Sequence, residues 1–128
     1  MIKFDPNNRI NNIKGDIYCV SIGKQTNCGG IACVLASIST TSDLNSNKIG
    51  LDSLGNISNS HTLFGNDIPI EIQNAVFEGV HETINESLLS YGIVFKLIGI
   101  LYHPVDSNIN MHKIAAIALT KSVIENNA

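Results

Sequence analysis

The sequence lacks a long apolar segment. None of its hydrophobic runs approaches the roughly 20 residues that a membrane-spanning helix requires. Residues 1–5 also lack the apolar stretch of a secretory signal peptide. A cytoplasmic protein with no membrane partner is therefore expected.

Cysteine is scarce, and its spacing argues against a disulfide framework or a zinc site. The three cysteines are Cys19, Cys28 and Cys33, which is an odd number and includes no Cys-x-x-Cys pair. The four histidines are scattered along the chain at His61, His81, His103 and His112. Zinc ligands are normally clustered in the sequence, so we predict reduced thiols and no bound metal.

The common signatures of cofactor binding and covalent catalysis are also missing. The chain contains neither Gly-x-x-x-x-Gly-Lys-Ser/Thr nor Gly-x-Gly-x-x-Gly, the backbone cradles that bind nucleotide phosphates. It contains no Gly-x-Ser-x-Gly nucleophile motif. No cofactor and no small-molecule ligand are therefore expected.

Positively charged residues are few. Eight Lys and Arg residues face 11 Asp and Glu residues, for a net charge of −3. A free-standing nucleic-acid-binding protein normally has a basic surface, so the isolated chain is expected to bind RNA weakly.

What the chain does contain predicts one folded domain over residues 1–128, with 44% hydrophobic residues. Residues 1–14 are polar and are expected to be irregular. Runs rich in β-branched and aromatic residues predict strands over 16–22, 31–39 and 93–102. A Ser/Asn-rich link over 40–60 is long for a connection and has room for a short strand near 49–54.

Two helices are predicted, over 70–91 and 108–125. Ile72, Val76 and Val80 repeat every four residues in the first, and Gly92 is expected to end it. Gly79 inside this helix suggests that the sheet approaches closely there. The buried side of the second helix is predicted to carry four residues, Ile114, Ile117, Ala118 and Ile124.

The element order is strand, strand, link, helix, strand, helix. This order predicts an α+β protein, a two-layer α/β sandwich with both helices on one face of the sheet. His81 and His112 fall on the helices, where solvent-facing or rim positions are expected.

The segment 103–107 joins the last strand to the second helix. Pro104 cannot continue a central strand, and Asp106 or Ser107 can cap the helix. His103 is then exposed beside a helix N-terminus, which favours anions such as phosphate. His103 and Asp106 can also be interpreted as an acid/base pair, but the capping role for Asp106 is the favoured interpretation.

The run His-Pro-Val-Asp-Ser at 103–107 is followed by Lys-Ile-Ala at 113–115. This arrangement resembles the tip and following helix of domain IV of bacterial elongation factor G. Ile-Pro-x-Glu at 68–71 and Ala-Val-x-x-Gly at 75–79 resemble its preceding helix. The sequence at 74–80 is more similar to that of the tetracycline-resistance ribosomal protection proteins, which are relatives of that factor. A weaker block at 24–30 resembles its Gly-rich loop.

The resemblance implies a ribosomal-protein-S5-like fold, with a four-stranded sheet whose fourth strand comes from 49–65. It also implies a cytoplasmic partner, the ribosome, with contacts to small-subunit rRNA and tRNA during translocation. The implied contact residues are His103, Pro104, Val105, Asp106, Ser107, Gln25, Thr26, Asn27, Gly29 and Gly30. The GTPase of such a factor lies in another domain, so no catalytic residue is expected in this chain.

Some features depart from the family pattern and favour a diverged relative. Asn27 and Cys28 stand where that pattern is Gly-rich and basic, and the 40–60 link has no counterpart. Three alternatives remain: a fragment of a ribosomal protection factor, a small enzyme with His103 and Asp106 at its site, and an oligomerising or binding module that uses the sheet face.

Overall fold

The computed structural model describes residues 10–23, 31–43, 47–52, 55–59, 61–87, 89–102 and 109–126. The elements in chain order are β1 (Ile10–Lys14), β2 (Ile17–Gly23), β3 (Ile31–Thr41), β4 (Lys48–Leu51), β5 (Thr62–Phe64), α1 (Ile70–Glu86), β6 (Gly92–Leu101) and α2 (Ile109–Asn126). A short 3-10 turn, Gly65–Asp67, connects β5 to α1.

All the described strands belong to one sheet, in which β3 and β6 are the central pair. The order is β1-β2-β3-β6-β4, and the short β5 pairs with β6 beyond the end of β4. Neighbouring strands are antiparallel except β4 and β6, which are parallel. β6 is therefore hydrogen-bonded along both edges, to β3 on one side and to β4 and β5 on the other.

Both helices pack on the same face of the sheet, as predicted. One core cluster contains side chains from α1, α2, β3 and β6, including Val76, Leu119, Val34 and Phe95, all of them fully buried. Strand side chains alternate between the two faces, so shared membership of this cluster places both helices on one side. The two-layer α+β sandwich is confirmed.

The strand count differs from the prediction: within the described residues the sheet has six strands instead of four. Two short strands, β4 and β5, arise from the polar link and the residues after it, in the region expected to supply one. β1 forms from residues expected to be irregular. It is an exposed edge strand joined to β2 by a tight turn at Gly15 and Asp16, so its polar sequence carries little hydrophobic pattern.

The first helix ends earlier than predicted, at Glu86 instead of near residue 91. Ser87 has an extended backbone, with φ −96° and ψ 135°, and its N–H donates a 3.2 Å hydrogen bond to the Ile84 carbonyl three residues back, so the helix closes with a tightened last turn. Gly92 belongs to β6, where a Cβ atom would collide with the carbonyl oxygen of Asp43. This glycine therefore serves close packing at the start of a strand.

The close approach expected at Gly79 comes from α2 and not from the sheet. A Cβ atom at Gly79 would lie 2.8 Å from the Lys113 carbonyl oxygen and 3.2 Å from Cγ1 of Ile117. The absence of a side chain at Gly79 allows the backbones of the two helices to come together.

The buried side of α2 differs from the predicted one. Ile114 is 40% exposed, and Ile117, Ala118 and Ile124 are only partly buried. The buried residues of α2 are His112, Ala115, Ala116, Leu119, Thr120 and Val123. Apolar residues occur all around this helix, so the sequence period does not determine which side faces the sheet.

The outer face of the sheet, the one turned away from the helices, has its own small core. Its buried members are Cys19, Cys33, Leu35, Phe64, Ile98 and Leu101. Next to this cluster the outer face becomes polar, beginning at the partly buried Ser37 and the exposed Lys96. Among the described residues, neither helix combines the length and apolar character needed to cross a membrane.

Candidate functional site

The segments 24–30 and 103–108 are attached at one end of the sheet, which we call the loop end. Gly23, the last residue of β2, pairs with Ile31, the first residue of β3. Two residues further along β3, Cys33 pairs with Leu101, the last residue of β6. Because neighbouring strands lie about 4.8 Å apart and each residue advances about 3.3 Å, the ends of β2 and β6 are about 10 Å apart across the sheet and about 7 Å apart along it. The attachment points of the two segments are thus close together.

The residues predicted to form the contact tip lie outside the described residues. They are His103, Pro104, Val105, Asp106, Ser107, Gln25, Thr26, Asn27, Gly29 and Gly30. The described part of the chain brings their attachment points to one end of the sheet. The expected proximity of His103 to the 25–30 segment stays a prediction, as does the helix-capping role of Asp106.

A third segment, which no sequence pattern indicates, reaches the loop end. The Tyr102 backbone N–H donates a 2.7 Å hydrogen bond to the carbonyl oxygen of His61, so His61 lies beside the residue that precedes His103. The Asn59 side-chain oxygen accepts hydrogen bonds from the backbone N–H groups of His61 and Thr62, both at 2.9 Å. The exposed His61 is therefore held by a defined turn. Its sequence surroundings, a polar link, contain no signal for this position.

His112, in the first part of α2, is fully buried, which contradicts the expectation that it lies at the surface or rim. In the described part of the chain, neither of its ring nitrogens has a hydrogen-bond partner. Burial disfavours the charged imidazolium and lowers the pKa of His112 from 6.5 to about 4. This histidine is therefore neutral at physiological pH and lies close to the residues that carry the 103–108 segment.

Lys113 attaches the start of α2 to α1. Its Nζ atom lies 3.0 Å from Glu78 Oε1 and 3.1 Å from Glu82 Oε1. Hydrogen bonds to these two carboxylates raise the pKa of Lys113. The two ion pairs and the contact at Gly79 lie on the same stretch of α2, so the helix that follows the 103–108 segment is attached to its neighbour near its N-terminus.

The described residues include His, Cys, Asp and Glu, the side chains that most often bind metal ions in proteins. Within those residues, no group of three His, Cys, Asp or Glu side chains is arranged to hold a metal ion. Cys19 and Cys33 are buried thiols, and the Cys33 sulfur lies 3.4 Å from the Ser21 hydroxyl. Cys28 lies outside the described residues. The expected absence of a metal stays a prediction.

An open depression of about 480 Å³ lies between the ends of β4 and β5. The described residues that line it are Leu51, Asp52, Asn56, Phe64, Gly65, Asn66 and Asp67. The Asp67 carboxylate accepts a 2.6 Å hydrogen bond from the Ser58 hydroxyl. Ser58 also accepts a hydrogen bond from the Phe64 backbone N–H, so these polar groups stabilise the turn before α1.

Comparison with known proteins supports the fold. No family model and no curated protein sequence matches the chain. A crystal structure of a protein from Thermus thermophilus is similar over 80% of this chain, with a TM-score of 0.54 and 24% sequence identity. The chain spans 14% of the length of that protein. At this level of identity, the similarity concerns the arrangement of strands and helices.

Proposed function

We propose that this chain is a ribosome-contacting domain similar to domain IV of elongation factor G. In this proposal the loop end carries the 24–30 and 103–107 segments to the small-subunit rRNA and tRNA at the decoding centre in the cytoplasm. The main supporting observation is the strand register. It brings the attachment points of both segments to one end of a sheet that is backed by two helices.

The proposed mechanism is mechanical and needs no catalytic group in this chain. Contact loops carried by a rigid scaffold can be positioned at an RNA surface without a large entropic cost on binding. β6 lies between partners on both edges, and its end leads directly into the 103–108 segment. A mechanical force on that segment would therefore be transmitted to the centre of the sheet. Any GTP hydrolysis would occur in another domain or another protein.

The test is competition on the ribosome. Excess purified chain should slow translocation catalysed by bacterial elongation factor G and should protect decoding-centre rRNA from chemical modification. His103→Ala should weaken both effects by about tenfold, equivalent to about 1.4 kcal/mol of binding free energy. The matched control is His81→Ala, since His81 is an exposed histidine on α1. Equal potency of the two variants, or no effect of the wild-type chain, would contradict the proposal.

Folding measurements separate a contact role for His103 from a structural one. We expect His103→Ala to change the free energy of unfolding by less than about 0.5 kcal/mol, as is usual at exposed positions. Asp106→Ala should lower it by about 1 kcal/mol through loss of the helix cap. Denaturant unfolding of the two variants gives both values. A larger loss for His103→Ala than for Asp106→Ala would show that these roles are assigned wrongly.

If the chain is a ribosomal protection factor, its effect on ribosomes should depend on tetracycline. This alternative is favoured by the sequence at 74–80, which lies within α1. If the chain acts in this way, it should release bound tetracycline from ribosomes, and His103→Ala should reduce that release. If the translocation role is correct, the chain should compete equally well with and without tetracycline.

A further inference from the structure

Charge is unevenly distributed between the two layers of this acidic protein. In the described part of the chain, the six strands contain three lysines, Lys14, Lys48 and Lys96, and no Asp or Glu. The two helices contain five glutamates and two lysines, and the glutamates are Glu71, Glu78, Glu82, Glu86 and Glu125. The strands thus carry a charge of +3 and the helices a charge of −3, while the net charge of −3 comes from the connecting and terminal segments.

The strand register places the lysines on one face. Lys14 pairs with Ile17, Ile17 pairs with Ser37, and Ser37 pairs with Lys96. Directly paired residues direct their side chains to the same side of a sheet. Ile17 packs against the outer-face cluster, so the whole row lies on the outer face.

Lys48 belongs to the same surface. On β4, Gly50 pairs with Lys96 and Lys48 pairs with Val94, while the intervening Ile49 packs against the helix-side core. We call Lys14, Lys48 and Lys96 the lysine row. All three are exposed, and among the described residues none of them forms an ion pair.

Protection of the sheet edges accounts for only part of this pattern. Lysines on edge strands are a common means of preventing sheets from adding to one another, which suits Lys14 on β1 and Lys48 on β4. Lys96 lies on β6, which is paired along both edges. A charge at that position protects no edge, so edge protection does not account for Lys96.

We propose that the lysine row is a binding surface for the phosphate backbone of RNA. Lys14 and Lys96 are three strands apart, which places their Cα atoms about 14 Å from each other. Partly buried Ser37 and Ser39 lie between them on β3, and serine hydroxyls are common donors to phosphate oxygens. The choice of RNA as the polyanion rests on the proposed function, while the position of the surface does not.

Such a surface gives the domain a second contact besides the loop end. It would bind weakly by itself, because three lysines neutralise few phosphates and the acidic helices repel RNA from the other side. It would also orient the domain on RNA, since only the outer face of the sheet attracts the phosphate backbone.

The test uses a fluorescein-labelled oligouridylate and measures binding by anisotropy over a series of KCl concentrations. A single strand contributes a slope of about −0.7 per neutralised phosphate, so the wild-type chain should show a log–log slope near −2. The combined variant Lys14→Gln, Lys48→Gln and Lys96→Gln should lose at least about tenfold in affinity at low salt and most of the slope. Lys96→Gln alone should reduce the slope by about one third.

The matched control is Lys121→Gln, because Lys121 is an exposed lysine on the helical layer. It should leave affinity and slope unchanged. Unchanged binding in the triple variant, or no binding by the wild-type chain, would overturn the proposal. Self-association of the triple variant with unchanged RNA binding would assign the lysines to edge protection instead. Oligouridylate binding by His103→Ala should equal that of the wild type, so failure of either proposal is visible separately.

Discussion

Lowering the pH through the range between 6.5 and 4 is expected to remove about 3 kcal/mol of stability through His112 alone. Its pKa is 6.5 in an unfolded chain and about 4 in the buried native site. In this range the unfolded chain binds a proton that the native state excludes, so the free energy of unfolding falls as the pH falls. Each pKa unit corresponds to about 1.4 kcal/mol. The contribution is fully present above pH 6.5 and fully lost below about pH 4.

Replacement of the imidazole isolates this effect. His112→Leu fills a similar volume with an apolar side chain that cannot be protonated. This variant should lose most of the pH dependence of the free energy of unfolding that His112 causes. At neutral pH its free energy of unfolding should be unchanged or higher by about 1 kcal/mol, because two unpaired buried nitrogens disappear.

Urea unfolding at a series of pH values measures both quantities. The control is His81→Gln, in which an exposed histidine on α1 is replaced and the wild-type loss should persist. An undiminished acid loss in His112→Leu would show that other groups control the acid sensitivity.

Gly79→Ala is expected to destabilise the protein by about 1–2 kcal/mol, although alanine is the better helix former. In an exposed helix interior the substitution would stabilise by about 1 kcal/mol. Here the new Cβ atom would lie 2.8 Å from the Lys113 carbonyl oxygen, a backbone atom, so the two helices must separate. Overpacking of this kind costs about 1–3 kcal/mol, and separation also weakens the ion pairs of Lys113 with Glu78 and Glu82.

Gly50→Ala provides a matched control for this substitution. Gly50 lies on β4, and a Cβ atom there would meet nothing within 4 Å. We expect stability to change by less than about 1 kcal/mol, with a small gain from the reduced entropy of the unfolded chain. If Gly79→Ala unfolds at a higher denaturant concentration than the wild type, the close contact between α1 and α2 is not a constraint.

The elements that follow one-sided hydrophobic patterns were predictable. The four-residue repeat of Ile72, Val76 and Val80 determines which side of α1 is buried, whatever it packs against. The long apolar runs of β3 and β6 likewise identify central strands. From these patterns and the element order, the two-layer arrangement follows.

The proposed functional end of the molecule was predictable only in part. The sequence identifies two turn-forming segments, at 24–30 and 103–108, from their composition and their resemblance to a known family. The common location of their attachment points depends on the pairing of Gly23 with Ile31 and of Cys33 with Leu101. The position of His61 beside Tyr102 depends on β5, a strand of three residues with almost no pattern of its own.

By itself, the sequence determined how many strongly amphipathic elements the chain has, which side of each is buried, and which segments join them. It could do so because hydrophobic periodicity is a local property. The tertiary structure decided the rotation of α2, which has apolar residues on every side and therefore no preferred buried face of its own. That rotation buried His112 and brought Gly79 against Lys113, while the strand register aligned Lys14 with Lys96. Each of these results depends on the docking of two elements distant in sequence, where packing and register override the local preference of either one.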